Sequence, residues 1–155
     1  MAIEYDLHLS THMKPAQALE KLIRQLPELT WSEDRTFLVD TSVHISAAEP
    51  HVIMPLIQGV IEDSFHFTPT LWIGFRRLAD ADWGRFRQVL LDATLALLDE
   101  AKDAVLLFNG ERIELQRLGG QLSFNAESGY WRDDDWLKSR LTIPFERRPL
   151  PSPLL

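Results

Sequence analysis

Five histidines, a run of three aspartates and a scatter of serines are the groups in this 155-residue chain whose types and spacing could do chemistry. His8 and His12 have the four-residue spacing that, on a helix, puts two imidazoles on one face for a metal. Residues 3–9 alternate instead, with Ile3, Tyr5, Leu7 and Leu9 on one side and Glu4, Asp6 and His8 on the other, the pattern of a half-buried strand. The pair straddles a strand end and a loop, so the two rings do not share a face. The remaining histidines, His44, His51 and His66, lack carboxylates at ligand spacing, and no HExxH occurs. Asp133, Asp134 and Asp135 lack the alternating oxygens and central glycine of a calcium loop and read as a solvated turn. No serine sits in a GxSxG elbow, and no GxxxxGK[ST] or GxGxxG is present. Glu111 and Glu114 have opposite strand parity, so their carboxylates point apart and make a poor acid–base pair. The chain has no cysteine, which removes disulfides, thiolate metal sites and cysteine nucleophiles together. It reads as a protein with no catalytic residues, no cofactor and no metal.

The elements that would position these groups are two helices and six to eight strands. Lys14-Pro15 opens a helix with proline at its first position, followed by Leu19, Leu22, Ile23 and Leu26 at helical spacing. Residues 30–35 are a polar connector, and residues 36–39 and 42–46 read as short strands. Within 47–64, Pro50, Pro55 and Gly59 suggest a broken strand at 52–57 and then a loop. Residues 65–78, rich in aromatic and branched side chains, read as one long strand with Pro69 near its start. Asp80 or Asp82 caps a second helix whose stripe is Trp83, Phe86, Leu90, Ala93, Leu97 and Ala101.

The late segment is the most informative. Asn109-Gly110 and Gly119-Gly120 tolerate positive φ and so read as two-residue hairpin turns between strands at 104–108, 111–118 and 121–125. Such turns set Leu106 opposite Ile113, Ala104 opposite Leu115, and Leu115 opposite Phe124. Ala104, Leu106, Ile113, Leu115, Leu122 and Phe124 then share one face. Arg112, Glu114, Gln116, Gln121, Ser123 and Asn125 share the other. From Pro144 the chain turns proline-rich and reads as an extended tail. The expected architecture is α+β: a two-layer sandwich in which two amphipathic helices cover one face of a mostly antiparallel sheet. Residues 1–143 form a single domain and 144–155 a proline-rich C-terminal tail.

Forty-five per cent of residues are hydrophobic, enough for a core in one domain of this length. The N-terminus has neither the basic nor the apolar region of a signal peptide, and no apolar run approaches the roughly 20 residues that span a bilayer. A cytoplasmic protein is expected. The formal net charge of −7 disfavours phosphate backbones and anionic lipid, so neither nucleic acid nor membrane is an expected partner, and a basic protein is.

From Phe65 onward the chain carries a recognisable order of motifs. Phe65-His66-Phe67-Thr68-Pro69-Thr70 leads to Gly74-Phe75-Arg76. Asp103-Ala104-Val105-Leu106-Leu107-Phe108 follows the helix, then Glu111, Leu115 and Arg117 precede Gly119-Gly120, and Trp136 follows a short acidic stretch. In this, and in the opening Ile3-Glu4-Tyr5-Asp6-Leu7, it resembles the third class of Sit immunity proteins, partners of swarming-inhibition lipoprotein toxins. The resemblance implies a protein encoded beside a cognate toxin, waiting in the cytosol to block the toxin's C-terminal domain by non-catalytic occlusion, with no catalytic residue to carry over. The polar sheet face and its aromatic and acidic neighbours are then the expected contact surface: Arg112, Glu114, Gln116, Gln121, Trp131, Asp133, Asp134 and Asp135. The alternative is a small-ligand or regulatory module using a pocket between helices and sheet.

Overall fold

The alternating stretch that opens the sequence becomes the middle strand of the sheet. The computed structural model describes residues 3–53 and 55–150, with the side chain of Tyr130 excepted. The chain runs β1 (Glu4–Thr11), α1 (Pro15–Gln25), β2 (Thr30–Trp31), β3 (Leu38–Val39), β4 (Val43–Ala48), α2 (Pro50–Ile53), α3 (Pro55–Phe65) and β5 (Leu71–Arg77). It continues through α4 (Trp83–Leu98), β6 (Ala101–Phe108), β7 (Arg112–Leu118), β8 (Gln121–Asn125), a 3-10 turn at Gly129–Trp131, α5 (Asp134–Arg140) and β9 (Phe145–Arg148). Among the described residues the fold is α+β, with one mixed nine-stranded sheet of order β2-β3-β4-β5-β1-β6-β7-β8-β9. Neighbours are antiparallel except β8 and β9, which are parallel. β2 and β9 are its edges.

Strand parity divides the core. Tyr5 faces Phe75 and Leu7 faces Ile73 across one edge of β1, while Leu7 faces Leu106 across the other, and Leu106 faces Leu115, which faces Phe124. These side chains form a single buried cluster with Ala18, Leu19 and Leu22 of α1 and with Phe86, Val89, Leu90, Ala93 and Leu97 of α4. Both helices start as their sequences predict. α1 has Pro15 at its first position and one half of a capping box, the Lys14 N–H donating to Gln17 Oε1 at 2.8 Å. Asp82 caps α4, accepting the Arg85 N–H at 2.9 Å.

The opposite parity is not left to solvent throughout. Val105, Leu107 and Ile113 form a second buried cluster with Ile61, Phe65, Phe67 and Leu150. Residues 47–64 are therefore not a broken strand and loop. Pro50 and Pro55 each stand at the first position of a helix, where the missing N–H costs nothing. Ile57, Ile61 and Phe65, four residues apart, form the stripe that α3 turns toward the sheet. Nor is 65–78 one strand: Phe65 ends α3, His66 has φ of 61°, and β5 begins only at Leu71. The proline-rich stretch joins the fold too, since Phe145–Arg148 pairs with β8 and Leu150 is buried; residues 151–155 lie outside the described ones.

Both hairpin turns fall where expected, with positive φ at Asn109 (49°), Gly110 (75°), Gly119 (58°) and Gly120 (83°). The second sets Leu115 opposite Phe124, as expected. The first does not set the expected pairs. Leu107, not Leu106, opposes Ile113, and Leu106 opposes Leu115, with the ladder shifting between Leu106 and Leu107. Two steps on β7 thus match one on β6, and Glu114 is the extra residue of a β-bulge. The bulge reverses parity, so Ile113 joins the second cluster while Leu115 stays in the first.

Docking of α3 on the sheet gives a direct test. Ile61 is fully buried, whereas Leu56 on the same helix is 85% exposed. Ile61→Ala is expected to cost about 3 kcal/mol in urea unfolding and Leu56→Ala less than about 0.5 kcal/mol; equal effects would contradict the helical docking.

Candidate functional site

The residues expected to form a contact surface separate into an inside and an outside set. The bulge turns Glu114 into the protein, where it is fully buried. Its Oε1 accepts from Arg112 Nε at 2.8 Å, and its Oε2 accepts from Ser128 Oγ at 2.6 Å and from Trp131 Nε1 at 3.0 Å. Trp131 is also fully buried, packed on Phe124 and stacked on Trp136. Gln116, Ser123 and Asn125 are buried as well; Ser123 Oγ donates to Glu146 at 2.8 Å and Asn125 Nδ2 donates to the Ile113 carbonyl. β9 and the bulge enclose this part of the sheet. Arg112 remains partly exposed, lying over the Phe108 ring. Gln121, Asp133, Asp134 and Asp135 are exposed. The aspartates do helix work: Asp133 caps α5 by accepting the Trp136 N–H at 3.0 Å, and Asp134 and Asp135 fill its first turn, where carboxylates suit the helix dipole.

The open part of the second sheet face lies elsewhere, over β4, β5 and β1. The polar side of β1, with its neighbours, lines a cleft of about 170 Å3 bordered by Glu4, Asp6, His44, Ser46, Trp72 and Arg76. Gly74 sets its floor. A Cβ there would lie 2.4 Å from two carbons of the Trp72 ring, so only glycine lets the indole lie across the sheet. That pose brings Trp72 Nε1 to 2.9 Å from Asp6 Oδ1. Burial pushes the Asp6 carboxyl above its ordinary value, the Trp72 hydrogen bond opposes the rise, and the Glu4 charge adds to it. His44 stacks on Phe37 with centroids 3.8 Å apart, and burial, reinforced by the Arg76 charge, lowers its pKa. Arg76 stands 3.7 Å from Glu4. None of these positions was among the contact residues expected from sequence, although the alternation of residues 3–9 and the parity of Trp72 and Gly74 place them on one face.

A larger cleft of about 530 Å3 lies among α1, α4 and the end of α5, among helices rather than between helices and sheet. Its main charges are already paired, Arg140 with Asp92 at 2.9 Å and Arg85 with Asp40 at 3.0 Å. Among the described residues no group of three His, Asp or Glu could hold a metal ion, and no helix is long and apolar enough to cross a membrane.

Two buried groups beside these surfaces make measurable demands. Removing the Glu114 carboxylate deletes the buried acceptor shared by Arg112, Ser128 and Trp131, so Glu114→Ala is expected to lower unfolding free energy by about 3 kcal/mol. A loss within about 0.5 kcal/mol would show that the network is dispensable. His8 is buried, its Nδ1 has no hydrogen-bond partner among the described residues, and burial lowers its pKa from 6.5 to about 4. The folded state thus binds fewer protons than the unfolded one. The neutral ring's contribution is complete above pH 6.5 and is lost as pH falls through 4, a difference of about 3 kcal/mol. Chemical denaturation from pH 7 to 3.5 should show this loss relative to His8→Leu; parallel profiles would refute it.

No curated protein and no solved structure matches the chain. The SitI3-like family model matches residues 3–135, a span running from the middle strand through both hairpin turns to the first turn of α5. The chain belongs to the SitI3-like family, and hence to the Sit immunity proteins.

Proposed function

We propose that this protein binds the C-terminal domain of a cognate bacterial toxin in the cytoplasm and neutralises it by occlusion, without catalysis. The observation that carries this reading is the family match over residues 3–135. The surface chemistry is compatible with it. A net charge of −7 favours association with a basic domain. Val52, Ile53 and Leu56 on α2 and α3 are exposed at 68%, 43% and 85%, and such apolar groups on a folded domain suit a protein partner. Gln121, Asp133, Asp134, Asp135 and the exposed part of Arg112 are the members of the expected contact set still able to reach one. The neutralising complex would be stoichiometric, since occlusion consumes one immunity protein per toxin domain.

Co-expression with the toxin encoded beside this gene tests the proposal. A complex that co-purifies at one-to-one stoichiometry and rescues growth of toxin-producing cells is the expected result. Absence of both the complex and the rescue would remove the proposal, and rescue by far less than one equivalent would replace occlusion by turnover.

A further inference from the structure

Three of the five tryptophans carry an arginine on a ring face. Arg35 lies over Trp31 at 4.9 Å, Arg77 over Trp83 at 4.1 Å, and Arg87 over Trp136 at 4.4 Å. Among the described residues no cation stands over Trp72, although its environment is the most prepared of all. The ring is laid across the sheet by the missing Cβ of Gly74 and pinned by its indole N–H to Asp6. It borders an open cleft whose remaining fixed charges, Glu4 and Arg76, face each other at 3.7 Å. Among the described residues no cation is paired to Asp6, which is left as a half-buried carboxylate. We propose that Trp72 and Asp6 together form a receptor for one cationic side chain, an arginine, presented by a protein partner.

The chemistry fits a guanidinium on two counts. Its flat face can stack on the indole while its N–H groups reach the carboxylate oxygen that Trp72 Nε1 does not occupy. Arrival of a cation also relieves the desolvated carboxylate, so the site gains in pairing what it loses in water. That the arginine belongs to the toxin rests on the proposed function; that the cleft takes a guanidinium does not.

The two claims separate in one set of titrations. N-acetyl-arginine amide, added to the 15N-labelled protein, is expected to shift the Trp72 indole N–H resonance saturably. Its neutral isostere N-acetyl-citrulline amide is expected to leave that resonance in place, and Asp6→Asn, which keeps the acceptor for Trp72 but removes the charge, is expected to weaken arginine amide binding about tenfold. No saturable shift at Trp72, an equal response to citrulline amide, or unchanged affinity in Asp6→Asn would each overturn the receptor. With the toxin domain as ligand, the same variant is expected to bind about tenfold more weakly than the wild type. Equal binding would remove the toxin's arginine from this cleft while leaving neutralisation intact. A wild type that takes arginine amide but not the toxin would count against the proposed function alone.

Discussion

The sheet hangs on β1. This strand is hydrogen-bonded along both edges, to β5 on one side and β6 on the other, and so ties residues near 5 to residues near 75 and 108. Its two side-chain parities serve different ends. Tyr5, Leu7 and Leu9 are the meeting point of α1 and α4, while Asp6 and His8 look to the other face. His8 sits there as a neutral buried ring and Asp6 as a partly desolvated carboxylate, because the strand must be central to hold the core and cannot then leave its polar side fully in water. The candidate site follows from that conflict: the polar half of a strand that topology placed in the middle.

Regular elements were readable in the amino acids to the extent that pattern and turn chemistry agreed. Residues 3–9 had a strict alternation, and the helix after Pro15, the helix after Asp82 and both late turns each joined a periodicity to a capping or turn residue pointing the same way. The misread segment, 47–64, had prolines whose meaning depends on position: a proline breaks a helix interior but opens a helix at its first residue. Gly59 reinforced the loop reading, yet it sits in α3 with open space where a side chain would be. Without α3 there was nothing to cover the second sheet face, and that face was taken to be free.

The bulge at Glu114 was invisible for a different reason. Ile113 and Leu115 are both apolar, so the local pattern is the same whether they share a face or not. Only the second cluster distinguishes the cases, by giving Ile113 a place opposite Leu115. Misplacing α3 and missing the bulge are therefore one error seen twice. It carried into the site, since a regular strand would have turned Glu114 outward, and the bulge instead locks it under Trp131. The open polar and apolar surface that remains is smaller, split between the cleft over β4, β5 and β1 and the exposed residues around α2, α3 and α5.

The two ends of the sheet also constrain how anything can attach to it. One edge is β2, only two residues long. The other is β9, which carries Glu146, Arg147 and Arg148 in succession, with Arg148 Nε bound to Glu146 at 2.9 Å. Short and charged margins offer a poor template for another backbone to zip onto. Such margins leave side-chain surfaces rather than a free strand edge for another protein to meet, surfaces that can be changed one substitution at a time, and they discourage the molecule from polymerising with its own copies.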